Sequence, residues 1–224
     1  MWCVPTLTPE FIERMENILT LYAKPYHFKE PVICFDEKSK QLIADARMTQ
    51  PMKSGKPRRR DYEYKRNGTR NIFLAVEPKG GFRIARVTAH RMKIDFAHEI
   101  ERIVTLPRYQ DAARIHIVLD NLNTHFEKSL LEAFGTRKTR SLMRRIRFHY
   151  TPKHASWLNM AEIELSILAR QCLNRRIPTE ALLVREVAGW EKYRNDRRST
   201  IQWAFTVKDA ARVFREYYRT ALVE

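Results

Sequence analysis

The sequence predicts an α/β fold in which a mixed sheet of about five strands is flanked by helices. Three observations point there. The apolar, β-rich runs Pro31-Val32-Ile33-Cys34-Phe35 and Ile115-His116-Ile117-Val118-Leu119 each end abruptly in a carboxylate, at Asp36 and Asp120. Two further runs, 71–76 and 82–87, flank the turn Pro78-Lys79-Gly80-Gly81 and read as a hairpin. Beyond about residue 93, helical and strand periodicities alternate, as in a sheet with helices packed on its faces.

The elements follow in order. Thr8 can cap a helix with Pro9 at its first position, and Phe11, Ile12, Met15, Ile18, Leu19 and Tyr22 recur at helical spacing, so 9–22 is an amphipathic helix. Polar residues from Pro25 to Glu30 form a linker, and 31–36 is a buried strand. Residues 37–68 have weak periodicity and contain Pro51, Gly55, Pro57 and Gly68. They read as a long basic loop with a short strand near 41–46, and a loop of such length is often functional. The hairpin follows. Ile94, Ala97, Ile100, Ile103 and Val104 mark a helix over about 93–105, then come the strand 114–119 and a helix from Thr124 to Phe134 ended by Gly135. A basic segment leads into strand 145–150, stopped by Pro152, and helices are expected over 158–173, from Thr179 to Asn195 and near 207–219. This element order is that of the ribonuclease H-like fold. The expected organisation is an N-terminal helix and linker, 1–30, followed by one domain, 31–224, with a basic loop insertion at 47–70.

Composition narrows the function. The chain has 224 residues, 44% of them hydrophobic, enough to bury one full core. Lys and Arg number 42 against 26 acidic residues, a net charge of +16, which implies a polyanionic partner. The charge is clustered. Residues 47–70 hold Arg47, Lys53, Lys56, Arg58, Arg59, Arg60, Lys65, Arg66 and Arg70 against Asp61 and Glu63, and residues 137–147 hold Arg137, Lys138, Arg140, Arg144, Arg145 and Arg147 with no acid. Cys3, Cys34 and Cys172 have neither zinc-ligand nor disulfide-framework spacing. No apolar stretch approaches the ~20 residues that span a bilayer, and Met1-Trp2-Cys3-Val4-Pro5 does not begin a signal peptide, so a reducing cytoplasm is the expected setting.

Open α/β sheets place ligands beyond the carboxyl ends of their strands, the positions taken by Asp36 and Asp120. In the helix after Pro152, Leu158, Ala161, Leu165, Leu168, Ala169 and Cys172 share an apolar arc, with Glu162 at one edge and Glu164 at the other. A carboxylate bordering a core face is costly unless paired or metal-bound, but periodicity alone does not choose between the two.

Four segments resemble the catalytic domain of a DDE transposase of the mariner superfamily, in its bacterial insertion-sequence branch. They are Cys34-Phe35-Asp36-Glu37-Lys38-Ser39, Arg66-Asn67-Gly68-Thr69-Arg70-Asn71-Ile72-Phe73, Leu119-Asp120-Asn121-Leu122-Asn123-Thr124-His125, and the stretch from Thr151 to Glu162. The last contains Pro152, Leu158, Asn159 and Glu162 at the spacing of that family's Pro-x-x-x-x-x-Leu-Asn-x-x-Glu string, which selects Glu162 over Glu164. Two features depart from the family. The 41 residues between Asp120 and Glu162 exceed its usual spacing, and nothing before residue 31 has room for its helix-turn-helix modules.

The resemblance implies that Asp36, Asp120 and Glu162 hold two Mg²⁺ ions, replaceable by Mn²⁺, and cut and join DNA strands during transposition of an insertion sequence. Glu164 is then expected to point elsewhere. Asn121, His125 and Asn159 are accessory candidates. Lys53, Lys56, Arg58, Arg59, Arg60, Lys65, Arg66, Arg70, Arg137, Lys138, Arg140 and Trp157 are candidates for contact with double-stranded DNA, at transposon ends or target, and the loop at 47–70 is expected on the metal-site side. A homodimer, a separate or fused helix-turn-helix portion and a bacterial, nucleoid-associated location also follow from the likeness. The alternative reading is a fragment that binds DNA or a full-length transposase without cutting. A cellular ribonuclease H-like nuclease fits less well, because of the mariner-type string.

Overall fold

The protein is described by a computed structural model over residues 8–48, 50–57, 59, 61–215 and 218. Five strands form one sheet: β1 (Val32–Asp45), β2 (Tyr64–Glu77), β3 (Phe82–Thr88), β4 (Ile115–Leu119) and β5 (Ile146–Tyr150), in the order β3-β2-β1-β4-β5. The β1–β2 and β2–β3 pairs are antiparallel, while β1–β4 and β4–β5 are parallel. The helices are α1 (Pro9–Ala23), α2 (Lys93–Val104), α3 (Glu127–Met143), α4 (Met160–Leu168), α5 (Glu180–Asp196) and α6 (Val207–Val213). The mixed sheet with helices on its faces is the ribonuclease H-like arrangement expected from the sequence.

The apolar runs are continuous because both sheet faces are covered. Side chains alternate across the sheet, so Ile33 and Phe35 of β1 join Ile117 and Leu119 of β4 in the core under α2. Cys34 and Val118 face the other way, into a core with Phe11, Met15 and Ile18 of α1 and with Met160 and Ala161 of α4. A third cluster packs Leu42, Ile72 and Leu74 against Leu165, Leu168, Leu183 and Trp190. The helix at the N-terminus is therefore part of the domain's core. Its Tyr22 hydroxyl donates to the Leu158 carbonyl at 2.8 Å.

Three sequence expectations need correction. The segment 37–68 is not mostly loop. β1 runs on to Asp45 and β2 begins at Tyr64, so Lys65, Arg66 and Arg70 stand on a strand and only the middle of the basic stretch lies between strands. The two strands form a ribbon with a bulge opposite Leu42, where Gly68 takes φ +88°. Asp36 consequently lies inside a strand, not at its end. The helix starting near Thr124 does not stop at Gly135, either. It kinks there, at φ 72° and ψ 174°, and helix resumes through Arg137, Lys138 and Arg140 to Met143. Finally, the helix expected over 158–173 is α4 followed by a π-helical turn, Ala169–Leu173. Among the described residues no helix is long and apolar enough to cross a membrane.

Candidate active site

The parallel pairing of β1 with β4 ends at Cys34 opposite Val118. Asp36 and Asp120 each lie two residues further, so alternation turns both toward the face of Cys34 and Val118, where α1 and α4 pack. Asp36 occupies the carboxyl end of the parallel part of the sheet even though its strand continues.

Among the described residues, each carboxylate has one oxygen hydrogen-bonded and one without a partner. Asp36 Oδ1 accepts the Glu37 amide at 2.8 Å. Asp120 Oδ1 accepts the Leu122 amide at 3.1 Å and His125 Nδ1 at 2.6 Å. Burial and the neighbouring Asp120 carboxylate push the Asp36 carboxyl up to about 7. Burial also works against ionisation of Asp120, but the hydrogen bonds from His125 and Leu122 hold it below the usual carboxylate range.

His125 is fully buried just before α3. Its second nitrogen, Nε2, lies 3.0 Å from Glu37 Oε2, and Phe35 and Phe96 enclose the ring. Burial disfavours the imidazolium, yet the two carboxylates raise it to about 9, so at neutral pH both nitrogens donate. Glu37, itself tied to Arg91 at 3.4 Å, thus fixes the histidine that orients Asp120. The sequence reading passed over Glu37. Its position next to Asp36 was visible, but its partner lies 88 residues away.

Asn159 caps α4 by accepting the Ala161 amide at 3.1 Å, and its Nδ2 donates to the Phe35 carbonyl at 2.8 Å. This ties the first turn of α4 to β1 one residue before Asp36. Glu162 sits in that turn, exposed and making no ion pair among the described residues. Glu164, two residues on, is fully buried, with Arg194 Nε and Nη2 each 2.9 Å from its oxygens and Arg83 Nε at 3.0 Å. Asp36 and Asp120 are brought together. Among the described residues no group of three His, Cys, Asp or Glu side chains is placed so as to hold a metal ion, and Glu162 is on the neighbouring turn.

Asn121 accepts from Arg14 at 2.8 Å and donates to the Thr151 carbonyl. Of the basic candidates, Lys53, Lys56 and Arg59 are exposed between β1 and β2, Arg70 pairs with Glu180, and Lys138 of α3 pairs with Glu101. Arg58 and Arg60 lie outside the described residues. Trp157 stacks on Trp203 and packs edge-on to Phe205, so packing accounts for much of its ring.

Residues 31–183, more than half of the chain, match the family described as DDE superfamily endonuclease. The chain belongs to that family. Its fold is shared with the Mos1 mariner transposase: the paired-end complex with Mn has a TM-score of 0.57 at 14% identity, over 100% of this chain and 65% of that one. The pre-cleavage Mos1 transpososome gives 0.55 at 13%, over 100% and 66%. The Mos1 strand transfer complex gives 0.53 at 12%, over 100% and 65%. This DDE-family chain thus spans just under two thirds of the Mos1 chain, and at such identity the likeness concerns the fold. No curated protein matches the sequence.

The donor set suits a hard divalent cation. Mg²⁺ is commonly bound by one or two carboxylates together with substrate phosphate oxygens, and Asp36 and Asp120 offer two free oxygens on one face. Asp36 also has a testable energetic signature. Its folded value near 7 exceeds the unfolded ~3.9, so its contribution to stability is greatest below pH 4 and is lost as pH rises to about 7. At about 1.4 kcal/mol per unit the loss is of order 4 kcal/mol. Asp36→Asn is therefore expected to melt higher than wild type at pH 8, with a smaller difference at pH 5. Mg²⁺ should raise the wild-type melting temperature at pH 8 and leave that of the variant in place. A pH-independent difference would show that Asp36 ionises freely.

Proposed function

We propose that this chain is the metal-dependent DNA-cleaving and strand-transfer domain of a mariner-type transposase from an insertion sequence, acting in a bacterial cytoplasm. The observation that carries the reading is the pair Asp36 and Asp120, each with a free oxygen on one face of a ribonuclease H-like sheet in a strongly basic chain. Glu162, on the turn tied to Phe35 by Asn159, is the third proposed carboxylate. Bound there, two Mg²⁺ or Mn²⁺ ions would supply Lewis acidity at the scissile phosphate. His125, held by Glu37, keeps Asp120 ionised and commits its Oδ1, so Oδ2 is the oxygen that would ligate a cation. Asn159 positions the turn that carries Glu162. Double-stranded DNA is the proposed partner, engaged as a homodimer together with a helix-turn-helix portion.

The direct test is nicking of duplex DNA in Mg²⁺ against EDTA. Metal-dependent cleavage is expected. Binding without cleavage under all metal conditions would favour the reading of a non-cutting, modulating fragment.

The basic ribbon offers a second test. β1 and β4 are parallel, so the ribbon leaves the same end of the sheet that bears Asp120. From Asp36 to Asp45 the strand spans about 30 Å, a reach that would let a loop beyond it meet a duplex well away from the carboxylates. Replacing Arg58, Arg59 and Arg60 with Ala should weaken binding to all sequences about equally. The slope of log affinity against log salt should become shallower by roughly 0.9 per lost phosphate contact. Equal slopes for variant and wild type would remove these arginines from the DNA interface.

A further inference from the structure

Beside Asp120 lies an open cleft of about 450 Å³ between α1 and the loop that follows β5. Thr8, Phe11 and Arg14 line one wall, and Asn121, Pro152, Lys153 and His154 the other, with Glu10 at the rim. α1 lies wholly before residue 31, where the family match begins.

The cleft is built, not incidental. Arg14 Nη1 donates to Asn121 Oδ1 at 2.8 Å, and Asn121 donates onward to the Thr151 carbonyl. The Thr151 amide in turn donates to Leu119 at 2.9 Å, so both walls are locked to the strand end that carries Asp120. Arg14 Nη2 meets Glu10 at 2.6 Å, and among the described residues the rest of its five-donor fork has no partner. Lys153 is exposed and makes no ion pair among the described residues. His154 adopts φ +63°, a left-handed conformation uncommon outside glycine, on a loop closed by the Ala155 amide donating to Pro152 at 3.1 Å. Strained residues held in this way are concentrated where a side chain must be aimed.

We propose that this cleft receives the sugar–phosphate backbone of the DNA strand running away from the scissile phosphate, with Arg14 and Lys153 on its phosphates and His154 hydrogen-bonded to it. The inference rests on the reading of the adjacent carboxylates as a DNA-cleaving site. It makes α1 a working part of that site. Arg14 and Lys153 against Glu10, which pairs with Arg14, leave a net positive charge that favours a phosphodiester over a cationic occupant. The contacts are to backbone, so they position the strand without reading its sequence.

The test is DNA affinity in EDTA, using a fluorescent duplex with a single-stranded flank, titrated with salt from 50 to 200 mM. Lys153→Glu cannot disturb the core, because the side chain is exposed. The double variant Arg14→Gln, Lys153→Gln removes both cations. Each lost duplex contact should flatten the slope by roughly 0.9, or about 0.7 if the strand is single, so wild type should weaken about 12-fold more than the double variant over this range if both contact duplex. Lys153→Glu alone should also bind more weakly and with a shallower slope. Unchanged slopes in both variants would overturn the proposal. So would an effect confined to the double variant, which would report loss of the Arg14–Asn121 tie alone. Wild-type nicking in Mg²⁺ is measured separately. Altered slopes without nicking would keep the groove and remove the catalytic reading, whereas nicking with unaltered slopes would do the reverse.

Discussion

Asp120→Asn is expected to abolish strand cleavage while the protein still folds and still binds DNA. The substitution keeps the shape of the side chain, and an asparagine oxygen can still accept from the Leu122 amide and from His125 Nδ1, the two contacts that Asp120 Oδ1 makes. What disappears is the negative charge beside Asp36 and, with it, a hard anionic ligand. Groups that stabilise charge at a reacting centre are commonly worth about 10²–10³ in rate, and loss of a metal ligand is expected to reach at least the upper end. Affinity for DNA should hold level or tighten, since one charge that repels phosphate is gone. The measurement is nicking in Mg²⁺ alongside a binding titration in EDTA. A variant that continued to nick would remove Asp120 from the chemistry.

The second large effect falls on two glutamates only two positions apart. Glu164 is fully buried between Arg83 and Arg194. Arg83 is itself completely buried, and its remaining donors reach the carbonyls of Gly81, Arg194 and Ser199. This arrangement ties β3, α4 and the end of α5 together. Glu164→Ala strands a buried guanidinium, a change that typically costs about 3–5 kcal/mol. For a domain of this size that corresponds to a fall in melting temperature of roughly 6–20 °C. Exchanging Glu164 and Arg83 together for apolar residues of similar volume should recover much of the loss, because the desolvation cost of both charges goes too. Glu162→Ala should do the opposite: the melting temperature stays within about 2 °C, since the side chain is exposed and makes no ion pair among the described residues, and cleavage is lost. If Glu164→Ala left stability intact and Glu162→Ala left nicking intact, the assignment of the two residues would be reversed.

Much of this molecule was legible in its sequence. Apolar runs buried on both faces leave an unmistakable pattern, so β1 and β4 and the carboxylates that follow their paired segments could be read directly. The same holds for α1, whose cap at Thr8 and apolar face agree with its neighbours in the core. Local signals of this kind need only residues a few positions apart. The ribbon of β1 and β2 was not legible. Lys38, Ser39 and Gln41 are polar and face solvent, so the strand carries no alternation and exists because Lys38 pairs with Ile72 and Gln41 with Thr69. The helix through Gly135 failed for the converse reason, a local stop signal overridden when helix resumes beyond the kink.

At the site, the sequence by itself determined which residue types follow the paired segments of β1 and β4 and that the chain's charge suits a polyanion. It left Glu162 and Glu164 on opposite edges of one apolar arc, indistinguishable by periodicity. The resemblance of the Pro152–Glu162 string favours Glu162, and packing gives the physical distinction, because the burial of Glu164 depends on arginines 81 and 30 residues away in sequence. The tertiary structure alone likewise brings Glu37 to His125 and Arg14 to Asn121. The reason is physical: a periodicity records which face of an element is buried, whereas the partner of a buried charge is chosen by whichever distant segment the fold sets against it.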